Sequence, residues 1–307
     1  MRKPLPQAPP APVAALLRHF RAQRPVRGGS LIITIFGDAI APRGGAVTLG
    51  SLIRLAYTFG LTERLVRTAV ARLAREDWLV AQRHGRRAEY RLSAGGAERF
   101  RQATARIYAP APHRWDGRWT LLLFPATATD LKLRDELRWR GYGQLRAGLF
   151  AHPAGSPARV RATLNSVAPH SRALVLTSTA ADTATNRQLL AQGWDLQELG
   201  RGYHRFVKRF APVESALRGA PLRPEAAFLV RTLLIHEYRK VHLKDPLLPA
   251  ALLPSAWIGT TAYALCRRLY GRVFAPAEAH LDAIAHRLHE PLPAAGAAAR
   301  ARFRARP

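Results

Sequence analysis

Arginine side chains, whose guanidinium groups bind anions and base edges, are concentrated on one predicted helix of this sequence. Thr62 can cap that helix, and Glu63 suits the positive end of its dipole. At about 100° per residue, four apolar side chains share one face, and they are Val66, Ala69, Val70 and Leu73. The opposite face carries Arg64, Thr68, Ala71 and Arg75, with Arg67 and Arg72 beside it. Guanidinium, hydroxyl and methyl groups contact guanine edges, phosphates and thymine methyls, so this face suits DNA.

A second group of arginines follows the helix, at the tip of a predicted hairpin. Residues 78–81 and 88–92 have strand composition, and Gly85 can supply the positive φ of the turn between them. The tip carries Arg83, Arg86 and Arg87. Three like charges repel one another unless they meet an anion, and a DNA phosphate or the minor groove is a suitable partner. An isolated basic helix is more often a solvated cationic face, but this neighbouring hairpin favours DNA binding.

The elements that position these arginines are predicted from the residues upstream. Residues 48–59 (TLGSLIRLAYTF) have apolar side chains at helical spacing, and Gly60 can take the left-handed position that ends a helix. Two helices joined by so short a link predict a helix-turn-helix, to which the hairpin adds a wing. The β-branched side chains of residues 30–41 (SLIITIFGDAIA) favour a strand by propensity alone.

Three motifs, taken in this order, resemble the PaaX-like repressors, which control phenylacetic acid catabolism in bacteria. The first motif lies within residues 37–96 and consists of GDAIAPRGGAVTLGSLIRLAYTFGLTERLVRTAVARL, then Trp78, then GRRAEYRLSAGG. The second is WDGRW at residues 115–119. The third consists of DPLLP, LLP and WIG within residues 245–259. The resemblance covers residues 30–285 of the chain. It implies a winged helix-turn-helix in which residues 30–41 form the first helix. It also implies an aryl-CoA thioester, phenylacetyl-CoA, as the effector that releases DNA.

Such an effector requires an apolar slot for its ring and cations for its phosphates. The C-terminal region contains both kinds of side chain, and the candidates are Tyr238, Arg239, Lys240, His242, Lys244, Trp257 and Arg267. Aromatic side chains are more often core and basic ones more often surface. Because spacing alone does not define a pocket, both explanations stay open for these residues.

Composition indicates a globular protein that binds polyanions. The chain has 307 residues, of which 48% are hydrophobic, with a formal net charge of +28 and a pI near 11.7. This length predicts two or three domains, and the charge suits nucleic acid. Cys266 is the single cysteine, which excludes an intramolecular disulfide and a cysteine-based zinc site and leads us to expect a cytosolic protein. No apolar run approaches the ~20 residues of a membrane span, and the N-terminus lacks the pattern of a secretion signal.

The predicted fold class is α+β, and the chain divides into successive segments. These are a flexible basic arm (1–29, in which 13–20 can form a short helix), a winged helix-turn-helix (30–108), a central ferredoxin-like α+β domain (113–200), a mainly helical C-terminal domain (201–290) and a disordered basic tail (291–307). The central assignment rests on strand candidates at 119–124, 144–150, 173–179 and 194–199, with helices among them. The open sheet of such a domain offers a face or an edge to a second copy, so we expect a homodimer.

Catalytic and metal-binding motifs find little support in the sequence. His236 and Glu237 begin a zincin-like pattern, but Lys240 stands where the second histidine is needed, and His242 falls on another face of the helix. The sequence has no P-loop, no G-x-S-x-G motif and no dinucleotide fingerprint. Asp130 and Asp135 lie beside basic residues, where ion pairing explains them better than nuclease chemistry does.

The sequence therefore predicts a cytosolic, homodimeric repressor that binds operator DNA, has no catalytic or metal site and takes an acyl-CoA effector. Bases are assigned to the N-terminal half of the recognition helix, namely Arg64, Arg67, Thr68 and Ala71, and Thr62 at its cap is also predicted to bind DNA. Phosphates or the minor groove are assigned to Arg72, Arg75 and the hairpin arginines. Two alternatives remain. One is a metal-dependent nucleic-acid-processing enzyme targeted by a winged helix, and the other is an architectural DNA binder without a small-molecule input.

Overall fold

The computed structural model describes residues 8–24, 28–85, 87–110, 114–125, 131–153, 157–167, 173–219 and 221–303. Over these residues the chain forms helices and two antiparallel sheets, in agreement with the predicted α+β class. The α-helices are α1 (Ala11–Ala22), α2 (Gly28–Ile35), α3 (Leu49–Tyr57), α4 (Glu63–Arg75), α5 (Ala94–Ile107), α6 (Leu131–Trp139), α7 (Pro157–Val167), α8 (Thr183–Gly193), α9 (Leu196–Ala216), α10 (Pro224–His242), α11 (Ile258–Ile284) and α12 (Ala297–Arg300). The strands are β1 (Ala46–Thr48), β2 (Leu79–His84), β3 (Arg87–Leu92), β4 (Arg118–Leu123), β5 (Gly143–Arg146), β6 (Leu149–His152) and β7 (Leu174–Thr179).

The chain forms two compact units whose limits differ from the predicted segments. The first unit contains Met1–Ala109, Arg205–Lys240 and Thr261–Pro307, and the second contains Pro110–His204 and Val241–Thr260. Most of α10 and α11, which belong to the predicted helical segment 201–290, therefore packs with the N-terminal residues in the first unit. The reason is packing, since Arg231 of α10 and Tyr270 of α11 both bind Asp38 near the N-terminus. None of the helices in the described part of the chain is long and apolar enough to cross a membrane.

The N-terminal segment contains a packed helix where the sequence predicts a flexible arm. α1 buries Val13, Leu16 and Phe20, which lie three or four residues apart and so share one face. The Phe20 ring packs edge-on against Phe59, with 6.2 Å between the ring centroids. Burial of this apolar face holds α1 against the first unit, despite the prolines that precede it.

Residues 28–43 are helical, as the family resemblance implies and against their β-branched composition. α2 continues into a π-helical turn, Phe36–Ile40, and a 3-10 turn, Ala41–Arg43. Leu31, Ile32 and Ile35 have no exposed surface. Burial on all sides of the helix therefore outweighs the strand propensity of the individual residues.

The predicted basic tail also packs, over the part that the structure describes. Phe303 follows α12 and is 2% exposed, with its ring centroid 5.1 Å from that of Tyr108 and 5.3 Å from that of Tyr270. Arg302 binds Asp38. The prediction of disorder is wrong for this segment, because Phe303 is buried and the neighbouring Arg302 has a buried partner. Residues 304–307 lie outside the described residues.

The second unit contains a four-stranded sheet in the order β5-β6-β4-β7. With α6 after β4 and α7 after β6, its βαββαβ order is the predicted ferredoxin-like one. Two strand predictions are wrong in detail. Residues 144–150 contribute to both strands of the hairpin β5–β6, because Gly148 reverses the chain with a φ of 73°. Residues 194–199 are not a strand, since Asp195 Oδ1 accepts a hydrogen bond from Glu198 N at 2.8 Å at the start of α9.

Both faces of this sheet carry packed side chains, but no further strand of the described residues pairs with the outer side of β7, which we call the open edge. One face packs against α6 and α7 through Leu122, Leu137, Phe150 and Val160. The other face packs around Trp119 with residues of α8 and of the segment 248–252. β7 is an edge strand, and its Leu174 and Leu176 are 62% and 46% exposed.

Candidate nucleic-acid interface

α4 presents the basic face that the sequence predicts. Thr62 caps the helix by accepting a hydrogen bond from Leu65 N at 3.3 Å. The buried side chains of the helix are Val66, Ala69, Val70 and Leu73, as predicted. The exposed ones include Arg64, Arg67, Thr68, Ala71, Arg72 and Arg75. One side of α4 is thus used for packing, and the cationic side faces solvent.

The guanidinium groups on this face are only weakly engaged within the protein. Arg67 Nε donates to Glu63 Oε1 at 2.8 Å, and Arg72 Nε lies 3.5 Å from Glu76 Oε1. Exposed pairs one helical turn apart stabilise a protein by about 0.3–0.5 kcal/mol, so a phosphate can replace the carboxylate at low cost. Arg64 and Arg75 form no ion pair with the described part of the chain.

A turn at Gly60 joins α3 to α4. Gly60 has a φ of 81°, and its N–H donates to Tyr57 O at 2.8 Å, while Leu61 N donates to Ala56 O at 3.3 Å. These values confirm the predicted left-handed glycine at the end of a helix. A Cβ at this position would also collide with the guanidinium of Arg21. The backbone conformation therefore favours glycine where the chain changes direction into α4, and a Cβ there would also displace the Arg21 side chain.

The predicted hairpin is formed by β2 and β3, which pair in register from Leu79 with Leu92 to His84 with Arg87. Gly85 lies in the turn with a φ of 60°. Arg83 and Arg87 are exposed near the tip, whereas Arg86 lies outside the described residues. β1, which the sequence did not predict, pairs with β3 and extends the hairpin to a three-stranded sheet in the order β1-β3-β2.

An open groove of about 960 Å³ runs between α4, the tip of the hairpin, the start of α3 and residues 286–288. It brings together three predicted arginines, Arg67, Arg83 and Arg87, and adds Arg287. Glu63 is the one carboxylate among the described residues that line it. The helix arginines 64, 72 and 75 are exposed outside this lining. No sequence signal connects Arg287 to the groove, because its groove neighbours are some two hundred positions away in the chain.

The chain after α11 connects the groove elements to one another. Thr48 N donates to His286 O at 3.1 Å, and His286 N donates to Ser51 Oγ at 2.9 Å. Leu288 N donates to the carboxylate of Glu89 on β3. Residues 286–288 are therefore bonded both to the start of α3 and to the hairpin. These contacts are not predictable from local sequence patterns, because the partners are separated by 199 to 238 residues.

A buried ionic cluster surrounds Asp38 in the first unit. Its carboxylate accepts hydrogen bonds from Tyr108 Oη at 2.7 Å, Tyr270 Oη at 2.8 Å, Arg231 Nε at 2.7 Å and Arg302 Nη1 at 2.9 Å. Burial raises the pKa of Asp38, but the two guanidinium groups and the two hydroxyl donors outweigh burial and hold the pKa below its ordinary value. The cluster joins the π-helical turn, α5, α10, α11 and the C-terminal segment.

Three of the predicted effector residues lie in the first unit with contacts of their own. Tyr238 has no exposed surface. Arg239 Nε donates to Thr34 Oγ1 at 2.9 Å, and Lys240 Nζ donates to Glu237 Oε1 at 2.6 Å. Core packing and internal hydrogen bonds account for these side chains, and their positions give no support to ring or phosphate binding.

Two further candidates lie in the second unit around Tyr203. The Tyr203 hydroxyl donates to Asp245 Oδ2 at 2.7 Å and lies 2.8 Å from His242 Nδ1. The ring of Trp257 packs edge-on against Tyr203 at 6.2 Å. These contacts are those of a packed polar cluster. The remaining candidates, which are exposed, are Lys244 and Arg267.

The residues considered for catalysis also have structural partners. His236 is buried, with its Nδ1 3.1 Å from Thr34 Oγ1. Asp135 is exposed and lies 3.7 Å from Arg138. Asp130 lies outside the described residues. In the part of the chain that the structure describes, no group of three or more His, Cys, Asp or Glu side chains is arranged to hold a metal ion.

Comparison with known proteins gives a consistent result along the chain. Family profiles match as PaaX-like protein over residues 27–96, as PaaX protein central Cas2-like domain over 112–190, and as PaaX-like protein C-terminal domain over 194–283. The chain is 41% identical over 262 residues to the transcriptional repressor PaaX of Escherichia coli (strain K12), and the match covers 82% of each protein. A solved structure, the uncharacterized protein Rv0674 from Mycobacterium tuberculosis, is 26% identical with a TM-score of 0.50, over 76% of this chain and 91% of that one.

Proposed function

The chain belongs to the PaaX-like family of transcriptional repressors, and from this premise we propose that it represses an operon for the catabolism of an aromatic acid, phenylacetate. The curated relative is a repressor and not an enzyme, which agrees with the prediction of a regulator. Under this proposal the first unit binds the operator, and an aryl-CoA thioester controls that binding.

The uncovered basic face of α4, beside an arginine-lined groove, is the observation that carries this proposal. We assign α2, α3, α4 and the hairpin β2–β3 to a winged helix-turn-helix in which α4 is the recognition helix. The N-terminal half of such a helix enters the major groove, which brings to the bases Arg64, Arg67, Thr68 and Ala71. The proposed contacts with phosphates or the minor groove are made by Arg72, Arg75, Arg83, Arg86 and Arg87.

The proposed repressor is a homodimer that binds two half-sites about one or two helical turns apart. The open edge at β7 supports this part of the proposal. An edge strand offers unpaired backbone N–H and C=O groups, and Leu174 and Leu176 add exposed apolar surface beside it. Pairing of β7 with β7 of a second copy would cover both the unpaired backbone groups and the exposed leucine side chains.

Release from DNA is assigned to an aryl-CoA such as phenylacetyl-CoA. A ligand shifts an equilibrium only by its difference in affinity for the two states, so the thioester must bind the DNA-free arrangement more tightly. The first unit offers the positive charge that the CoA phosphates require.

Fluorescence anisotropy with DNA from the protein's own upstream promoter tests the proposal. The full chain is titrated against this duplex and a random duplex of equal length, at two salt concentrations, with and without phenylacetyl-CoA. We expect promoter-selective binding that the thioester releases. Selective binding that the thioester leaves unchanged would retain the repressor and refute the effector. Equal affinity for both duplexes would refute operator recognition and indicate an architectural binder, and metal-dependent cleavage of the duplex would indicate a processing enzyme.

A further inference from the structure

A second open cavity, of about 850 Å³, lies in the first unit between the base of the hairpin, α5, the turns after α2 and the C-terminal segment. Four guanidinium groups line it, and they belong to Arg91, Arg101, Arg287 and Arg302. No Asp or Glu is among the described residues of its wall. Its volume falls in the range of small-molecule sites, about 300–1,000 Å³.

Small residues keep this cavity open. Gly44 and Gly45 have φ values of 83° and 73°, which side chains rarely adopt. Because Gly37 has no Cβ, which would collide with Phe100, the Phe100 ring can lie directly against the backbone of the π-helical turn. Phe100 and Leu92 give the cavity an apolar surface beside its arginines. The combination suits a ligand with an apolar part and an anionic part.

Two of the four arginines are available to an anion. Arg302 is turned inward, where it binds Asp38, and Arg101 pairs with Glu98. Arg91 is exposed and forms no ion pair with the described part of the chain. The Nη1 of Arg287 binds a glutamate at 2.8 Å, but its Nε is buried without a hydrogen-bond partner among the described residues. A buried donor without a partner is costly, and a turn of the Arg287 side chain toward a phosphate or carboxylate in the cavity would relieve that cost.

We propose that this cavity is the binding site of the acyl-CoA effector, with the acyl group near Phe100 and Leu92 and phosphate oxygens at Arg91 and Arg287. The identity of the ligand rests on the proposed function, whereas the site itself rests on the cavity, its arginines and the unpartnered Nε. None of the seven C-terminal residues singled out from the sequence lines this cavity.

The same site explains how a ligand would weaken DNA binding, because Arg287 lines both this cavity and the arginine-lined groove beside α4. An anion that holds Arg287 on the cavity side withdraws one cation from the groove. It also pulls on residues 286–288, which are hydrogen-bonded to Ser51 at the start of α3 and to Glu89 on the hairpin. Ligand and DNA thus compete for one side chain and for the position of one turn, which gives the negative coupling that release requires.

Two variants test the site on the full chain. Ala298→Trp fills the cavity from an exposed position of α12, and Arg91→Gln removes one proposed anion contact. Arg146→Gln is the matched control, because it removes the same charge from an exposed position in the second unit. Circular dichroism verifies that each variant is folded. Calorimetric titration without DNA then measures the affinity for phenylacetyl-CoA, with CoA and phenylacetate as separate probes.

We expect each cavity variant to bind the thioester at least tenfold more weakly, a loss of about 1.4 kcal/mol or more, while Arg146→Gln binds as wild type does. Ala298→Trp should also stay on promoter DNA at thioester concentrations that release the wild type. Wild-type affinity in both cavity variants would overturn the site. If wild type binds the thioester through the cavity but keeps its DNA, the site stands and the proposed release fails. If wild type binds promoter DNA but no thioester, this inference fails and the repressor remains.

Discussion

Replacement of Asp38 by asparagine is expected to lower the free energy of unfolding by about 3–5 kcal/mol, the range for removal of one partner from a buried ion pair. The substitution keeps the size of the side chain but removes its charge. Arg231 and Arg302 are 1% and 7% exposed, so neither guanidinium can regain water. Arg231 retains Glu278, whereas Arg302 retains no other carboxylate among the described residues. Most of the expected loss therefore comes from the uncompensated charge of Arg302.

Urea unfolding, followed by far-ultraviolet circular dichroism, measures this loss. The control is Asp135→Asn, which makes the same chemical change at a carboxylate that is 77% exposed and 3.7 Å from Arg138. Exposed pairs of this kind contribute at most about 1 kcal/mol. If Asp38→Asn destabilises the protein no more than Asp135→Asn does, the buried cluster does not stabilise the fold and the reasoning is refuted.

The direction of the pKa shift adds a pH dependence to the same prediction. Burial raises the pKa of Asp38, but Arg231 and Arg302 outweigh it, so the folded pKa lies below the ordinary value. The stabilisation is therefore fully present above the unfolded pKa, about 3.9, and is lost as the pH falls through the folded pKa. The difference in stability between wild type and Asp38→Asn should shrink on acidification through this window. A difference that does not change with pH would contradict the assignment of a charged Asp38.

Three further predictions concern the proposed interfaces. Arg64→Ala should reduce discrimination of the operator from a random duplex by about 1–3 kcal/mol in anisotropy titrations, and unchanged operator affinity would mean that α4 meets DNA by another face. Arg83→Gln combined with Arg87→Gln should lower the slope of log affinity against log salt by about 2 and weaken operator and random DNA alike, whereas Arg146→Gln should leave the slope unchanged. Leu176→Glu places a charge at the open edge of β7 and should convert a dimer into a monomer in sedimentation velocity, and a dimer that persists would place the interface elsewhere.

Local features of the candidate site were predictable from the sequence because they depend on residues close together in the chain. The apolar face of α4 follows from helical periodicity, its cap from Thr62, and the two turns from Gly60 and Gly85. Each is confirmed by burial, hydrogen bonds or backbone angles. In the second unit the ferredoxin-like class is predictable, but a turn at Gly148 divides the predicted strand 144–150 into two, and residues 194–199 do not form a strand.

Features that depend on distant residues were not predictable by the same reasoning. The pairs Asp38 with Arg302 and Thr48 with His286 are separated by 264 and 238 residues, and neither pattern nor composition connects them. For the same reason the effector candidates depend on residue type alone, and Tyr238 is a core residue. Prolines and arginines predict a flexible arm and tail, whereas a few apolar side chains, Phe20 and Phe303 among them, decide their packing.

The long separation between Asp38 and Arg302 has a consequence for biosynthesis. At about 5–20 residues per second, a ribosome needs roughly 10–50 s to proceed from Asp38 to Arg302. Until Arg231 is translated, the carboxylate of Asp38 lacks both of its guanidinium partners. From then until Arg302 is translated, it lacks one of them. The helices that carry the proposed DNA contacts therefore emerge early but acquire their buried ionic support only when translation reaches the C-terminal segment. The Asp38 cluster is therefore completed only after the segment that walls the proposed effector cavity has been made.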